Sequence, residues 1–213
     1  MITFEGVTKQ YPDGTVAVDD LTLEVPDGTL AVFVGPSGCG KTTSMRMINR
    51  MIDPTSGTLT VNGDDVTKVD PVKLRLGIGY VIQSAGLMPH QRVVDNVATV
   101  PVLKGESRRA ARKTALGVLE RVGLDPKLAN RYPAQLSGGQ QQRVGVARAL
   151  AADPPILLMD EPFSAVDPVV REELQTEILR LQSELHKTIV FVTHDIDEAL
   201  KLGDKVAVFG RGG

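Results

Sequence analysis

The chain has 213 residues, of which 42% are hydrophobic and 23% charged, which suits one sizeable α/β domain and argues against disorder. Its net charge of −2 supplies no positive field that would favour nucleic acid or anionic lipid as a partner. The single cysteine excludes an internal disulfide and favours a reducing compartment. Because neither a long apolar run nor a secretory signal pattern is present, we expect a soluble, unexported chain that reaches a membrane only through a partner.

The first part of the chain has the patterns of an antiparallel sheet followed by a buried strand and a helix. Apolar and polar residues alternate over 2–7 and 18–25, which is typical of strands with one buried face. A continuous apolar run at 30–34 predicts a buried strand, and strand patterns return at 58–61 and 78–82. The helix before Pro54 is predicted to pack through residues at helical spacing, namely Met45, Ile48, Met51 and Ile52.

Helical patterns replace strand patterns in the middle of the chain. We therefore predict an inserted α-helical subdomain at 84–153, while 1–83 and 154–213 form an α/β core with an N-terminal antiparallel β subdomain. The predicted helices of the insertion are 95–102, 107–122 and 137–152.

Strand patterns return near the C-terminus. The continuous apolar runs at 156–159 and 188–192 indicate strands at the buried centre of a parallel sheet. Between them, Asp167 and Pro168 provide a capping side chain and a first-turn proline for a helix. A last short strand is predicted at 206–209.

A phosphate-binding loop lies between the strand at 30–34 and the next helix. Two glycines five positions apart precede Lys41 and Thr42 in a strand–loop–helix context, so that backbone N–H groups and the helix N-terminus face a phosphate. Lys41 is expected to reach the β- and γ-phosphates, and the Thr42 hydroxyl to bind Mg²⁺. Cys39 is interpreted as a small apolar filler, with a redox switch as the alternative. The predicted nucleotide contacts are Gly35, Pro36, Ser37, Gly38, Cys39, Gly40, Lys41, Thr42 and Thr43.

Polar residues follow the carboxyl ends of the other predicted parallel strands, where open α/β sheets bind their ligands. Asp160 is suited to hold Mg²⁺, and Glu161 to polarise a water for attack on the γ-phosphate, which favours hydrolysis over transfer. His194 is expected to bond the γ-phosphate, and Gln83 also follows a strand end. The alternatives are that the carboxylates only cap a turn and that the histidine is structural.

A second phosphate-binding helix end is predicted at Leu136-Ser-Gly-Gly-Gln-Gln-Gln-Arg143. Ser137 is able to cap the helix, and Gly138 and Gly139 leave N-terminal amides open to an anion. We infer that this helix end serves the nucleotide of a neighbouring copy.

With these motifs in this order, the chain closely resembles the ATPase subunit of ABC transporters over essentially all of its length. The resemblance implies a head-to-tail homodimer with two ATP molecules, each held between one copy's phosphate loop and four residues of the other copy: Ser137, Gly138, Gly139 and Gln140. Residues alone left Tyr11 either a turn aromatic or a base-stacking ring, and the family match favours adenine stacking. Gln83 matches the residue that contacts Mg²⁺ and signals to the membrane subunits, and Asp167 matches the aspartate of the loop crossing the dimer interface. Glu161 matches the general base, and His194 the γ-phosphate contact.

Residues 45–57 and 79–90 are most similar to the ATPases of osmoprotectant importers, which take up glycine betaine, proline, choline or carnitine. This implies integral membrane permease subunits as partners, an indirect link to a substrate-binding protein, no nucleic acid, and a position on the cytoplasmic face of the membrane. Members of that group usually continue past the last strand, so we expect the chain to be a truncated catalytic core.

Two other classes fit less well. An ABC-type ATPase acting on DNA or ribosomes usually carries long coiled-coil insertions or tandem cassettes, and this chain has one cassette. If the chain were a small-molecule kinase or GTPase, Glu161 would have no role, and neither would the helix that follows Leu136.

Overall fold

The computed structural model describes residues 1–164 and 166–210. The strands are β1 (Ile2–Gln10), β2 (Val16–Val25), β3 (Leu30–Val34), β4 (Ser56–Val61), β5 (Asp64–Asp65), β6 (Ile78–Val81), β7 (Ile156–Asp160), β8 (Thr188–Thr193) and β9 (Lys205–Val208). The α-helices are α1 (Lys41–Ile48), α2 (Pro71–Leu76), α3 (Val93–Leu103), α4 (Arg108–Arg121), α5 (Gly138–Leu150), α6 (Pro168–Leu185) and α7 (Ile196–Leu202). The chain divides into two compact units, Met1–Ile78 with His186–Gly213, and Gly79–Leu185.

The first unit contains the predicted antiparallel sheet, in the strand order β2-β1-β4-β5. Ile2 pairs with Val25 on one side and Val61 on the other. Ile2, Phe4 and Val7 are fully buried. Ile2 and Phe4 follow the alternation seen in the sequence, and a register shift between Phe4 and Val7 accounts for the burial of Val7 three positions later.

The same unit contains parallel strands in the order β8-β3-β9. Every residue of β3 and β8 is buried, which explains their continuous apolar sequences. In the register of the sheet, Val34 pairs with Thr193 and with Val208. The carboxyl ends of these strands therefore lie side by side.

The second unit contains β6 from Gly79 onward, the neighbouring strand β7, and the helices α3 to α6. β7 is buried along its whole length. Between the end of β6 and the start of β7 the described residues form no strand. The subdomain boundaries at 83–84 and 153–154 stay a prediction.

Two features differ from the sequence prediction. α1 ends at Ile48, and Met51 beyond it is 57% exposed, so the predicted apolar face does not extend that far. The cause is a left-handed residue, Arg50 (φ 52°), after which Met51 N–H and Ile52 N–H both donate to the Arg46 carbonyl and close the helix. The short helices α2 and α7 were not predicted, because one or two turns are too few to establish an apolar period.

Bilayer-spanning helices require length and continuous apolarity together. Within 1–164 and 166–210, no helix combines the two.

Candidate functional site

The phosphate loop of the first unit joins β3 to α1 and is shaped by three glycines. Gly35, Gly38 and Gly40 have φ values of 155°, 80° and 95°, and the last two lie in the left-handed region that favours glycine. At Gly40 a Cβ would lie 2.4 Å from the Ala17 carbonyl oxygen, and at Gly35 it would lie 2.3 Å from the Phe209 carbonyl oxygen. The backbone at these two positions is packed too closely for any side chain.

Gly40 is also the N-cap of α1. It supplies no capping side chain, and the first turn contains no acidic residue. The positive end of the helix is therefore not occupied by a carboxylate of its own, which suits it to a phosphate.

Lys41 is the charged group of the loop and is only 4% exposed. Its Nζ donates to the carbonyl oxygens of Gly35 at 2.7 Å and Pro36 at 2.8 Å, and lies 3.6 Å from Cys39 Sγ. No carboxylate in the described part of the chain forms a salt bridge with it. A buried ammonium with only neutral partners is poorly compensated, so this loop fits an anionic ligand.

His194 lies immediately beyond the end of β8. Because Val34 and Thr193 are paired, Gly35 and His194 are the first residues past the ends of adjacent strands, and the structure brings the phosphate loop and His194 to the same edge of the sheet. The imidazole is exposed.

The turn that carries His194 is held by a buried polar chain. The Thr193 hydroxyl donates to Glu198 Oε2 at 2.6 Å, and the Asp195 N–H donates to Thr193 Oγ1 at 3.0 Å. Glu198 and Thr193 are buried. The sequence analysis did not identify either residue as part of this hydrogen-bonded chain. The signal that could have revealed Glu198 is its position in the first turn of a helix capped by Asp195.

Tyr11, also in the first unit, is half-buried in the turn after β1. The ammonium of Lys9 lies 5.3 Å from the centre of its ring, a cation–π distance. Stacking of Tyr11 on a base stays a prediction.

In the second unit, Asp160 ends β7 and is buried. Tyr80 Oη lies 3.4 Å from Asp160 Oδ2, and its hydroxyl donates to that carboxylate. Tyr80, on the neighbouring strand β6, is a hydrogen-bond partner of Asp160 that the sequence did not reveal.

Glu161 follows in a strained backbone conformation. Its φ is 43°, the left-handed region, which a non-glycine residue enters at a cost of about 1–3 kcal/mol. The Ser164 N–H and hydroxyl both donate to the Glu161 carbonyl, which helps to keep the turn. Six other non-glycine residues within the described ranges also have positive φ, so the conformation defines the turn, and the catalytic role of Glu161 stays a prediction.

The N-terminus of α5 is closed by a reciprocal pair of hydrogen bonds. Gln140 N–H donates to Ser137 Oγ at 3.3 Å, and Ser137 N–H donates to Gln140 Oε1 at 3.0 Å. Gly139 has a packing role that the sequence did not predict, since a Cβ there would lie 2.4 Å from Val170 Cγ1 of α6. The amides of Gly138 and Gly139 have no acceptor within the described residues.

Two further predicted site residues, Gln83 and Asp167, are exposed in the second unit. Gln83 follows β6, and Asp167 caps α6 by accepting the Val170 N–H at 3.1 Å. A cavity of about 380 Å³ in this unit is lined by other residues, including the ion-paired Asp95 and Arg112.

The donor sets fit ATP and Mg²⁺. The glycine loop, the helix end and the buried ammonium suit phosphates. In the first unit Thr42 offers a hydroxyl oxygen, and in the second unit Gln83 and Asp160 offer amide and carboxylate oxygens. All three are of the hard type that Mg²⁺ prefers, and a metal site that includes them stays a prediction.

The fold and these features define a phosphate-loop nucleotide-binding domain. The family model "ABC transporter" matches residues 18–164, which is more than half of the chain. The chain belongs to the ABC transporter family, and it is an ATP-binding domain of that family. The predicted α/β fold is thereby confirmed.

Two curated relatives show where in the family it falls. The chain is 50% identical over 212 residues to the choline transport ATP-binding protein OpuBA of Bacillus subtilis, covering 100% of this chain and 56% of that protein. It is 52% identical over 212 residues to the carnitine transport ATP-binding protein OpuCA of Listeria monocytogenes, covering 100% of this chain and 53% of that protein. The chain thus spans about half the length of these relatives, and the predicted resemblance to osmoprotectant importer ATPases is confirmed.

A solved structure has the same fold. The dimeric, post-hydrolysis ATP-binding cassette MJ0796 bound to ADP and Pi is 35% identical, with a TM-score of 0.89 over 100% of this chain and 95% of that one.

Proposed function

We propose that the chain hydrolyses ATP to ADP and phosphate. The observation that carries the proposal is the buried Lys41 ammonium, which is held in a glycine loop at an uncapped helix N-terminus without a carboxylate partner among the described residues. Lys41 and the loop amides bind the β- and γ-phosphates and stabilise the charge that develops on them. Tyr11 stacks on the adenine.

Asp160, Thr42 and Gln83 would hold Mg²⁺, which supplies charge neutralisation at the phosphate oxygens when bound. Tyr80 orients the Asp160 carboxylate through its hydroxyl. Glu161 orients a water and accepts its proton, and His194 donates a hydrogen bond to the γ-phosphate. The turn at Glu161 fixes the backbone position from which this carboxylate extends.

We propose that two copies act together. The cassette MJ0796 is dimeric in its ADP- and phosphate-bound structure, and its likeness to this chain supports a homodimer here. We infer a head-to-tail arrangement from the second phosphate-binding helix end at Ser137. Ser137, Gly138, Gly139 and Gln140 then contact the nucleotide of the other copy, and Asp167 lies at the interface. The amides of Gly138 and Gly139 supply the donors.

We further propose that hydrolysis powers osmoprotectant uptake. Relatives named for choline and carnitine transport, each about twice as long, support a cargo such as choline, carnitine, glycine betaine or proline. Permease subunits in the membrane, served by a separate substrate-binding protein, would carry the cargo, and this chain would act at the cytoplasmic face.

The proposal of hydrolysis is tested by Glu161→Gln. We expect the catalytic rate to fall by about 10²–10⁴-fold, as for loss of a general base, while ATP affinity is retained and the closed dimer is favoured. Phosphate release measures the catalytic rate, calorimetry measures ATP affinity, and light scattering measures the mass of the dimer. The matched control is Glu120→Gln, an exposed glutamate on α4, which should leave all three unchanged. Undiminished hydrolysis in the Glu161 variant would refute the assigned base.

The transport proposal is tested by co-purification from membranes of the source cell. Permease proteins in the bound fraction, with an osmoprotectant-binding protein, support it. Ribosomes or DNA in their place would favour the ABC-type ATPase that acts outside transport.

A further inference from the structure

The segment after Gln83 adopts an unusual backbone. Ala85 and Gly86 follow each other in the left-handed region, with φ values of 56° and 54°. Ala85 carries a Cβ, for which this conformation is unfavourable, and it is only 2% exposed. Something outside the segment must keep it in this shape.

Arg148 on α5 provides that restraint. Its Nη2 donates to the Ala85 carbonyl oxygen at 2.6 Å and its Nη1 to the Gly86 carbonyl oxygen at 2.7 Å. A guanidinium presents its donors as a rigid fork, so it is able to bond two successive carbonyls at once. Burial lowers the pKa of Arg148, and no carboxylate in the described ranges forms a salt bridge with it. A cation placed here at a desolvation cost indicates that the two bonds matter.

Gly145, one turn earlier on α5, brings the helix against the same segment. A Cβ at Gly145 would lie 3.4 Å from both Cα and Cβ of Ala85, so the helix backbone and the segment are in close contact. Packing at Gly145 and hydrogen bonding at Arg148 attach α5 to Ala85 and Gly86 from two positions on one helix face.

The same helix begins at Ser137. About ten residues of continuous helix, or about 15 Å, connect the amides of Gly138 and Gly139 to Arg148. A shift of Gln83 therefore displaces a segment bonded to α5, and a shift of the α5 N-terminus displaces the segment that carries Gln83. A helix transmits such a displacement because its own hydrogen bonds resist bending.

We propose that Arg148 is a positioning residue that joins the Gln83 segment to α5, so that Gln83 and the helix end at Ser137 move as one body. The proposal rests on the proposed function, because Gln83 contributes to hydrolysis only if ATP and Mg²⁺ are bound there. Arg148 itself touches neither nucleotide nor metal and acts only through Ala85 and Gly86.

The experiment compares Arg148→Gln, which removes the fork, with Arg148→Lys, which keeps the charge and one bond. Arg109→Gln, at an exposed arginine on α4, is the matched control. The first readout is amide hydrogen exchange of the peptide covering 83–88, whose reporters are Ala85 N–H, bonded to the Ile82 carbonyl, and Gly86 N–H, bonded to the Ser84 carbonyl. We expect exchange there to quicken by about tenfold in Arg148→Gln, less in Arg148→Lys, and not at all in the control.

The second readout separates positioning from general stability. Arg148→Gln should lower the catalytic rate with little change in ATP affinity, and combining it with Gln83→Ala should lower the rate no further than Gln83→Ala alone, because both act through one side chain. The proposal would be overturned if the rate losses of Arg148→Gln and Gln83→Ala multiply in the double variant. It would also be overturned if a folded Arg148→Gln shows unchanged amide hydrogen exchange over 83–88. If Arg148→Gln does not fold, Arg148→Lys carries the same two tests. A wild-type chain without hydrolysis would refute the proposed function, and hydrogen exchange would still decide the role of Arg148.

Discussion

The N-termini of α1 and α5 are both predicted to bind phosphate, yet they are built in opposite ways. α1 has Gly40 as its cap, in a left-handed conformation and without a capping side chain. α5 has Ser137 and Gln140, whose side chains bond each other's backbone N–H groups. The first helix end depends on a ligand to satisfy its donors, whereas the second is partly satisfied by its own side chains.

The glycines at the two ends also have different causes. Gly40 is required by its φ of 95° and by the Ala17 carbonyl 2.4 Å from where a Cβ would be. Gly139 is helical and is required because Val170 of α6 packs against it. A glycine in a phosphate-binding motif therefore does not always mean an opening for phosphate, since it can equally allow close helix packing.

The largest effect is expected from Gly40→Ala. The new Cβ would collide with the Ala17 carbonyl oxygen, and the positive φ is unfavourable for alanine. The loop therefore has to move, and ATP binding should be lost. Gly38→Ala is the control, because Gly38 also has positive φ (80°) but a Cβ there has no atom within 4 Å.

Gly38→Ala should retain measurable ATP affinity and lose about 1–2 kcal/mol of unfolding free energy, the cost of a left-handed non-glycine residue. ATP titration and chemical denaturation of both variants give the comparison. Equal ATP affinity in the two would show that close packing by Ala17 does not define the loop.

A smaller and more selective effect is expected at the α5 end. Ser137→Ala removes the cap and should cost about 1 kcal/mol of unfolding free energy. Ser137→Asp keeps a capping oxygen, so stability should be retained, while its negative charge repels the phosphates of the other copy. Hydrolysis should fall in both variants, and more in Ser137→Asp.

Thermal denaturation measures the cap, and phosphate release measures the nucleotide contact. If Ser137→Asp hydrolyses ATP as well as the wild type does, Ser137 only caps its helix, and the prediction of a second phosphate-binding site at this helix end is wrong. ATP affinity of the isolated monomer should not change, which separates this result from damage to the Lys41 loop.

Much of this fold was predictable because its patterns are local. The alternation along β1, the continuous apolar β3, β7 and β8, and the capping signals at Ser137 and Asp167 each reflect a period or a neighbour-to-neighbour bond. The same holds for the phosphate loop, in which spacing alone places Lys41 at a helix start.

The contacts that sequence did not reveal join residues far apart in the chain. Tyr80 bonds Asp160, and Arg148 bonds Ala85 and Gly86, and no period along the chain marks such pairs. Backbone strain at Glu161 was equally hidden, since a carboxylate gives no sign that its φ is positive. Assignment of Gly139 to phosphate binding alone was incomplete for the same reason, because Val170 is distant in sequence.

The smallest effect is expected at Asp65, a third side chain that bonds a backbone N–H group, and it gives a reference for the cap at Ser137. Asp65 Oδ1 accepts the Thr67 N–H at 2.9 Å and the Thr67 hydroxyl at 2.7 Å, and Oδ2 pairs with Lys68. The Thr67 hydrogen bonds, with help from Lys68, lower the pKa of Asp65 from 3.8 to about 2. Because the folded pKa is the lower one, this carboxylate stabilises the fold above its ordinary pKa, and that stabilisation is lost as pH falls from about 4 toward 2.

Asp65→Asn should therefore cost less than about 1 kcal/mol at neutral pH, since a solvent-screened surface pair is weak. In denaturation curves the difference from wild type should shrink as pH falls from about 4 toward 2, the interval between the ordinary and the folded pKa of Asp65. ATP hydrolysis should be unchanged. A stability difference that stays constant with pH would mean that the Asp65 charge contributes nothing and that only the shape of the turn matters. The Ser137 cap is neutral, so the stability difference between Ser137→Ala and wild type should not change over this pH range.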